Sequence, residues 1–190
     1  MDQKESILNA AIKHFAARGY RRTTLDEVAA EVGLGTPALY HYFKNKMDLF
    51  KAVTEREVTA LLCQLEAAVA KETDPVRRLR VFCRTRFKLT VDKQAVFQIT
   101  ERVHREIVEL VHKVLASLVR REAALVEGIL ERGVRNGAFR PMDVPMTASL
   151  LLQMFRYLET PGGFFSNPKE VGRRVDFALD ILLQGIEVRP

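Results

Sequence analysis

Three helix-start signals crowd the stretch between Thr24 and Lys46, too close together for anything but very short helices. Thr24-Leu25-Asp26-Glu27 is a capping box, in which the threonine hydroxyl accepts from the third-residue amide while Glu27 reaches back to the cap. Leu25, Val28, Ala29 and Val32 then form an apolar face that stops at Gly33. After Gly33-Leu34-Gly35, Thr36-Pro37 places a hydroxyl cap before a proline whose missing N–H costs nothing at the first helical position. Asn45 before Lys46-Met47-Asp48 opens the next helix in the same way, so the third helix is confined to about 37 to 43. Two short helices joined by a glycine-rich turn have the dimensions of a helix-turn-helix, whose second helix fits a DNA major groove ~12 Å wide.

The rest of the chain continues the helical reading. Asp2 with Glu5 caps a first helix over about 3 to 18, with Ile7, Leu8, Ala11, Ile12, Phe15 and Ala16 at helical spacing and Gly19 closing it. A fourth helix is expected over about 46 to 71 and a fifth from Asp74-Pro75 to about 91. A short piece follows near 94 to 102, then a long seventh helix to about Asn136, with Gly133, Gly137 and Pro141 punctuating its end. Asp143 opens the eighth, through Leu150, Leu151, Met154, Phe155 and Leu158. Asn167-Pro168 opens the ninth, with Val171, Val175, Leu179, Leu182 and Ile186 on one side. Sustained apolar/polar alternation and hairpin turn signals are missing, so the expectation is an all-α protein of about nine helices. On this reading residues 1–46 are an N-terminal helix-turn-helix module and 47–190 a larger C-terminal helical domain.

Composition narrows the function. Apolar residues make up 47% of the 190 and charged residues 28%, a globular balance. The polar start Met1 to Ser6 and the lack of any long apolar run read as a cytoplasmic protein with no membrane association. Cys63 and Cys83 stand apart, outside any C-x-x-C, and read as reduced core or near-core thiols. No triad spacing, nucleophile elbow or phosphate loop occurs, so no catalytic residue and no cofactor are expected. The pairs Glu101/His104 and Glu109/His112 share one helix, whereas carboxylate-bridged metal sites draw such pairs from several helices; no metal is expected.

The net charge is +6, yet residues 1 to 50 carry seven Lys or Arg against six Asp or Glu, so binding to a polyanion has to rest on a local patch. Such a patch is available. Thr24 and Thr36 sit at helix N-termini, where hydroxyls, free amides and the helix dipole favour a phosphate oxygen. Tyr40, His41 and Tyr42 are polar aromatics on a helix that already uses Leu39 and Phe43 for its core, and Lys46 adds an ammonium at the next helix start. The plainer alternative is an ordinary αα-corner with packed tyrosines and a solvated lysine.

The stretch Thr23-Thr24-Leu25-Asp26-Glu27-Val28-Ala29, continued by Gly33-Leu34-Gly35-Thr36-Pro37-Ala38-Leu39-Tyr40-His41-Tyr42-Phe43-Lys44-Asn45-Lys46-Met47-Asp48-Leu49-Phe50, resembles the DNA-binding signature of the TetR family of bacterial transcriptional repressors. Gly133, Gly137, Phe139, Arg140, Pro141 and Asp143 resemble that family's usual junction between its seventh and eighth helices. The resemblance implies phosphate contacts from Thr24, Tyr40, Tyr42 and Lys46, and base-edge or groove-wall contacts from Thr36, Pro37, Ala38 and His41. Pro37 stands where many members carry glycine or another small residue; its ring can touch a thymine methyl but cannot donate a backbone hydrogen bond. One module carries few base-reading side chains, so two copies on a palindromic DNA site are expected, paired through the eighth and ninth predicted helices.

In the larger domain, Arg86 falls within the apolar arc of Leu79, Phe82, Cys83, Phe87 and Thr90 on an otherwise basic helix. A salt bridge to a buried acid such as Glu101 or Glu106 would satisfy it, and so would an anionic ligand. Phe82, Phe97, Leu110, Met154 and Phe155 either fill the core or line a cavity. The resemblance implies that 47–190 is a ligand-sensing and dimerisation domain with an effector pocket there, with Phe82, Arg86, Phe97, Leu110, Met154 and Phe155 as candidates and a hydrophobic or amphipathic small molecule as occupant. The functional expectation is a repressor released from a palindromic operator by that effector. A helical carrier or enzyme acting on a lipid-like molecule is the different-class alternative.

Overall fold

The computed structural model describes residues 2–94, 101–158 and 168–188, without most of the side chains in 90–118 and 155–174. The described residues form eight α-helices: α1 (Gln3–Arg22), α2 (Leu25–Glu31), α3 (Thr36–Tyr40), α4 (Lys46–Ala70), α5 (Pro75–Gln94), α6 (Glu101–Arg135), α7 (Val144–Leu158) and α8 (Pro168–Ile186). The all-α expectation holds, with eight helices among the described residues where about nine were expected for the chain. The short piece expected near 94 to 102 falls largely on residues outside the described set, as do Asn167 and the loop at 160–166.

The helix starts follow the local chemistry. Asp2 accepts from the Lys4 amide at the head of α1. Asp74 accepts from the Arg77 amide at 2.8 Å, and Asp143 from the Met146 amide at 3.0 Å. Asn45 accepts from the Asp48 amide while Asp48 accepts in return from the Lys44 amide. α1 is broken at Gly19, whose φ of 77° is open to glycine at little cost.

The chain divides into two compact units: Met1–Ala60 with Lys93–Ser117, and Leu61–Asp92 with Leu118–Pro190. In the first, Ile7, Leu8, Ala11 and Phe15 of α1 close over Val28 and Ala29 of α2, Leu39 of α3, and Leu49, Phe50 and Val53 of α4. Phe15, Tyr20 and Phe50 form a three-ring cluster with centroids 5.1 to 5.8 Å apart. Gly33, at φ 69°, makes the reversal between α2 and α3, a conformation that strains residues carrying a Cβ.

In the second unit the buried residues include Leu62, Leu65, Leu79, Phe82, Ile129, Leu130, Leu151, Leu152 and Leu179. The basic face of α5 is partly paired: Arg80 meets Asp180 at 2.6 Å and Arg84 meets Asp176 at 2.9 Å, both on α8. Gly133 lies within α6 and does not stop it; a Cβ there would sit 2.0 Å from Cδ2 of Phe139, so this glycine makes room for a ring. Gly137, at φ 76°, follows the end of α6. Beyond it Arg140 donates to the Ile186 carbonyl (2.8 Å) and Val188 to that of Ala138 (3.0 Å), clasping the end of α8. Cys83 is buried, and burial pushes its thiol up to about 12. Cys63 is exposed, against the near-core expectation, because its position on α4 points away from Leu62 and Leu65. No helix among the described residues is long and apolar enough to cross a membrane.

Candidate nucleic-acid interface

Thr24 is the N-cap of α2 and both halves of the capping box are formed: its hydroxyl accepts from the Glu27 amide (3.2 Å), and its own amide donates to the Glu27 carboxylate (3.0 Å). The Thr24 amide and the neighbouring Arg18 hold the Glu27 carboxyl below its ordinary value. A second tie between α1 and α2 runs from Lys13 to Glu31 at 3.1 Å, and it lowers the Glu31 carboxyl in the same way. Both acids thus offset cations of α1, in keeping with the small local surplus of positive charge.

α3 differs from expectation at both ends. Its N-cap is Gly35, so Thr36 is the first helical residue and not the cap, and Pro37 follows it. With no amide of its own to satisfy, the Thr36 hydroxyl donates to Asp26 on α2, at 2.5 Å. The helix ends at Tyr40 and not near 43, because the Leu39 carbonyl accepts from both the Tyr42 and Phe43 amides in a closing turn. That turn reverses the chain in time for the Asn45 cap of α4.

The turn sorts the aromatic residues. Leu39 and Phe43 go into the core, whereas Tyr40 (52%) and Tyr42 (42%) stay exposed with His41 between them. Pro37 is exposed and Ala38 half-buried. Exposed rings of this size on a two-helix module are poor core material and good contact material. Lys46 is half-buried, and its ammonium donates to the carbonyls of Arg21 (3.2 Å) and Thr23 (3.0 Å) and lies 4.6 Å over the Tyr20 ring. Burial pulls its pKa down from the ordinary lysine value. An ammonium carries three N–H donors, so a phosphate would compete with or add to these contacts.

Sequence reasoning missed Asp26 and Tyr20. Asp26 lies ten positions from Thr36, and only the turn at Gly33 brings them together; no spacing rule announces such a pair.

Among the proposed effector residues, Phe82 is fully buried, Arg86 is 5% exposed and Met154 is half-buried. Arg86 Nε donates to Glu122 on α6 at 2.5 Å, with the two side chains 6% and 5% exposed. Glu122 is thus a buried acid that meets Arg86; the side chains of Glu101 and Glu106, which the sequence suggested, lie outside the described residues. Phe97 lies outside the described residues, as do the side chains of Leu110, Phe155, Glu101, His104, Glu109 and His112. Among the described residues no group of three or more His, Cys, Asp or Glu is placed to hold a metal ion.

Two family descriptions match the chain: bacterial regulatory proteins of the tetR family over residues 7–53, and the tetracyclin repressor-like C-terminal domain over residues 72–181. The HTH-type transcriptional regulator YhgD of Bacillus subtilis is 27% identical over 159 residues, covering 82% of this chain and 81% of its own. The HTH-type transcriptional repressor KstR2 of Mycolicibacterium smegmatis is 24% identical over 146 residues, 76% of this chain and 71% of its own. The crystal structure of a transcriptional regulator from Cytophaga hutchinsonii shares the fold, with a TM-score of 0.78 at 23% identity over 97% of this chain and 98% of its own.

Proposed function

The chain belongs to the TetR family of bacterial regulatory proteins, and from that premise we propose that it grips a palindromic operator as a homodimer and releases it when a hydrophobic or amphipathic small molecule binds. As a member of that family it is a DNA-binding transcriptional regulator and not an enzyme. The direction of control, repression, is taken from the kinship with a relative named a repressor.

The observation that carries the DNA reading is the exposed Tyr40-His41-Tyr42 run, which ends the five-residue α3 and enters the turn after it, while Leu39 and Phe43 on either side are buried. In this reading residues 1–46 are the DNA-binding module. Thr24, Tyr40, Tyr42 and Lys46 meet phosphates; Thr36, Pro37, Ala38 and His41 face base edges or groove wall. Two further observations support pairing of two chains: Met146 and Leu150 on α7, and Phe177 and Ile181 on α8, are exposed apolar pairs at helical spacing. Each is a face that a second copy would cover, setting two half-sites one turn or a multiple apart.

The effector belongs to residues 47–190, with Phe82, Arg86 and Met154 as described lining residues; an anionic group on it would compete with Glu122 for Arg86. α4 begins at Lys46 in the first unit and ends at Ala70 in the second, so it is the element through which occupancy would act on the DNA contacts. An effector that favours the released form by about 1–3 kcal/mol changes operator affinity roughly 5 to 150-fold. The cytoplasm is the compartment where such a regulator meets its DNA.

Electrophoretic mobility shift with a selected palindromic fragment, repeated from low to high salt, tests this. Salt-sensitive binding of two chains per site is expected. Lys46→Ala should weaken every sequence alike and reduce the salt slope by about one per half-site. Binding by a single chain, or indifference to duplex DNA, would end the reading.

A further inference from the structure

We propose that Asp26 sets the polarity of the Thr36 base contact, so that each half-site carries adenine or cytosine, and not guanine or thymine, on the strand that Thr36 faces. The assignment rests on the reading above, in which α3 enters the major groove.

A threonine hydroxyl has one hydrogen and two lone pairs, and for that reason it ordinarily reads donors and acceptors alike. Here the hydrogen is already spent. Thr36 Oγ1 donates to Asp26 Oδ1 at 2.5 Å, within the range of short, charge-assisted O–H to carboxylate bonds, and a carboxylate has nothing to donate in return. Toward an approaching duplex the hydroxyl therefore offers lone pairs alone. The residues that follow it supply no free amide: Pro37 has no N–H, and the amides of Ala38 and Leu39 both donate to the Gly35 carbonyl, at 2.9 and 3.3 Å.

The major-groove edge turns this restriction into a choice of base. Adenine N6 and cytosine N4 present amino donors; guanine presents O6 and N7, and thymine O4, all acceptors. Every base pair presents one amino group in the major groove, so the contact selects which strand bears it. Pro37 and Ala38 follow with only apolar surface, which suits the thymine methyl next to that position. Asp26 acts through Thr36 and is a positioning residue.

The test is selection from a randomised duplex library by the full-length protein, followed by affinity measurement on all four bases at each position. Wild-type protein should show one position per half-site where adenine or cytosine is preferred over guanine or thymine about tenfold. Thr36→Val should lose the preference at that position and keep the others. Asp26→Ala frees the hydroxyl hydrogen, so guanine and thymine should be admitted there while the remaining positions keep their order. In the Thr36→Val background, Asp26→Ala should change nothing at that position. A residue that merely supported the fold would instead weaken all positions equally, and circular dichroism of each variant checks the helix content independently. A guanine or thymine preference at the Thr36-dependent position overturns the assignment. So does an Asp26→Ala profile identical to wild type, or a Thr36→Val variant that loses no position. In all three cases the operator-binding reading stands. Wild-type protein that enriches no sequence would defeat that reading itself, and this assignment with it.

Discussion

Replacing Glu122 with leucine takes from the buried Arg86 guanidinium the carboxylate that it meets at 2.5 Å. The two side chains are 6% and 5% exposed and 2.5 Å apart, so neither charge has bulk water to fall back on once the other is gone. Breaking such a pair costs about 3–5 kcal/mol, most of it the uncompensated burial of the surviving ion. For a chain of this length each kcal/mol moves the melting temperature by about 2–4 °C, so Glu122→Leu or Arg86→Met alone should lower it by roughly 6–20 °C. The double variant removes both desolvation penalties and should recover most of that loss. Thermal unfolding followed by circular dichroism measures all four proteins, at one fixed concentration because self-association adds to apparent stability. If the double variant is no more stable than the worse single, or if Arg86→Met costs under about 1 kcal/mol, the pair is not the closed, solvent-free bridge argued here. An Arg86→Met protein of normal stability that no longer responds to effector would instead return Arg86 to the role of ligand anchor.

Three other outcomes follow from the same geometry. Gly133→Ala drives a methyl group to 2.0 Å from the buried Phe139 ring, and should cost about 1–3 kcal/mol in denaturant unfolding; Phe139→Leu in that background should recover part of it, and an additive loss would refute the clash. A thiol reagent at neutral pH should label Cys63 quickly and Cys83 only on unfolding, since burial holds the latter thiol at about 12; equal rates in the folded protein would contradict that burial. The Glu27 carboxyl is depressed in the folded state, so its contribution to stability is complete above the ordinary value of 4.5 and is lost as pH falls through the folded value. Glu27→Gln should lack that acid-side loss, and unfolding curves between pH 5 and 3 that match wild type would show the carboxyl is not so held.

Helix starts were legible because a cap is a local event: a side chain three residues from an amide reaches it whatever the rest of the chain does. Asp2, Thr24, Asn45, Asp74 and Asp143 all cap where spacing places them. Thr36 was misplaced by one position because Gly35 is also an acceptable cap and the backbone, once formed, chose it. Gly133 looked like punctuation and proved to be a space for Phe139, since a glycine opposite a ring and a glycine that ends a helix are indistinguishable in one dimension.

Read alone, the sequence determined the helical class, the two short helices around Gly33-Leu34-Gly35 and the aromatic run after them, through periodicity and capping that act over a few residues. Tertiary structure decided which acid answers Arg86, where the Lys46 ammonium rests, and that the Thr36 hydroxyl is already donated to Asp26. Those partners lie ten to thirty-six positions apart, and which of several carboxylates or carbonyls reaches a given donor depends on turns and packing that bring distant surfaces within 3 Å or so.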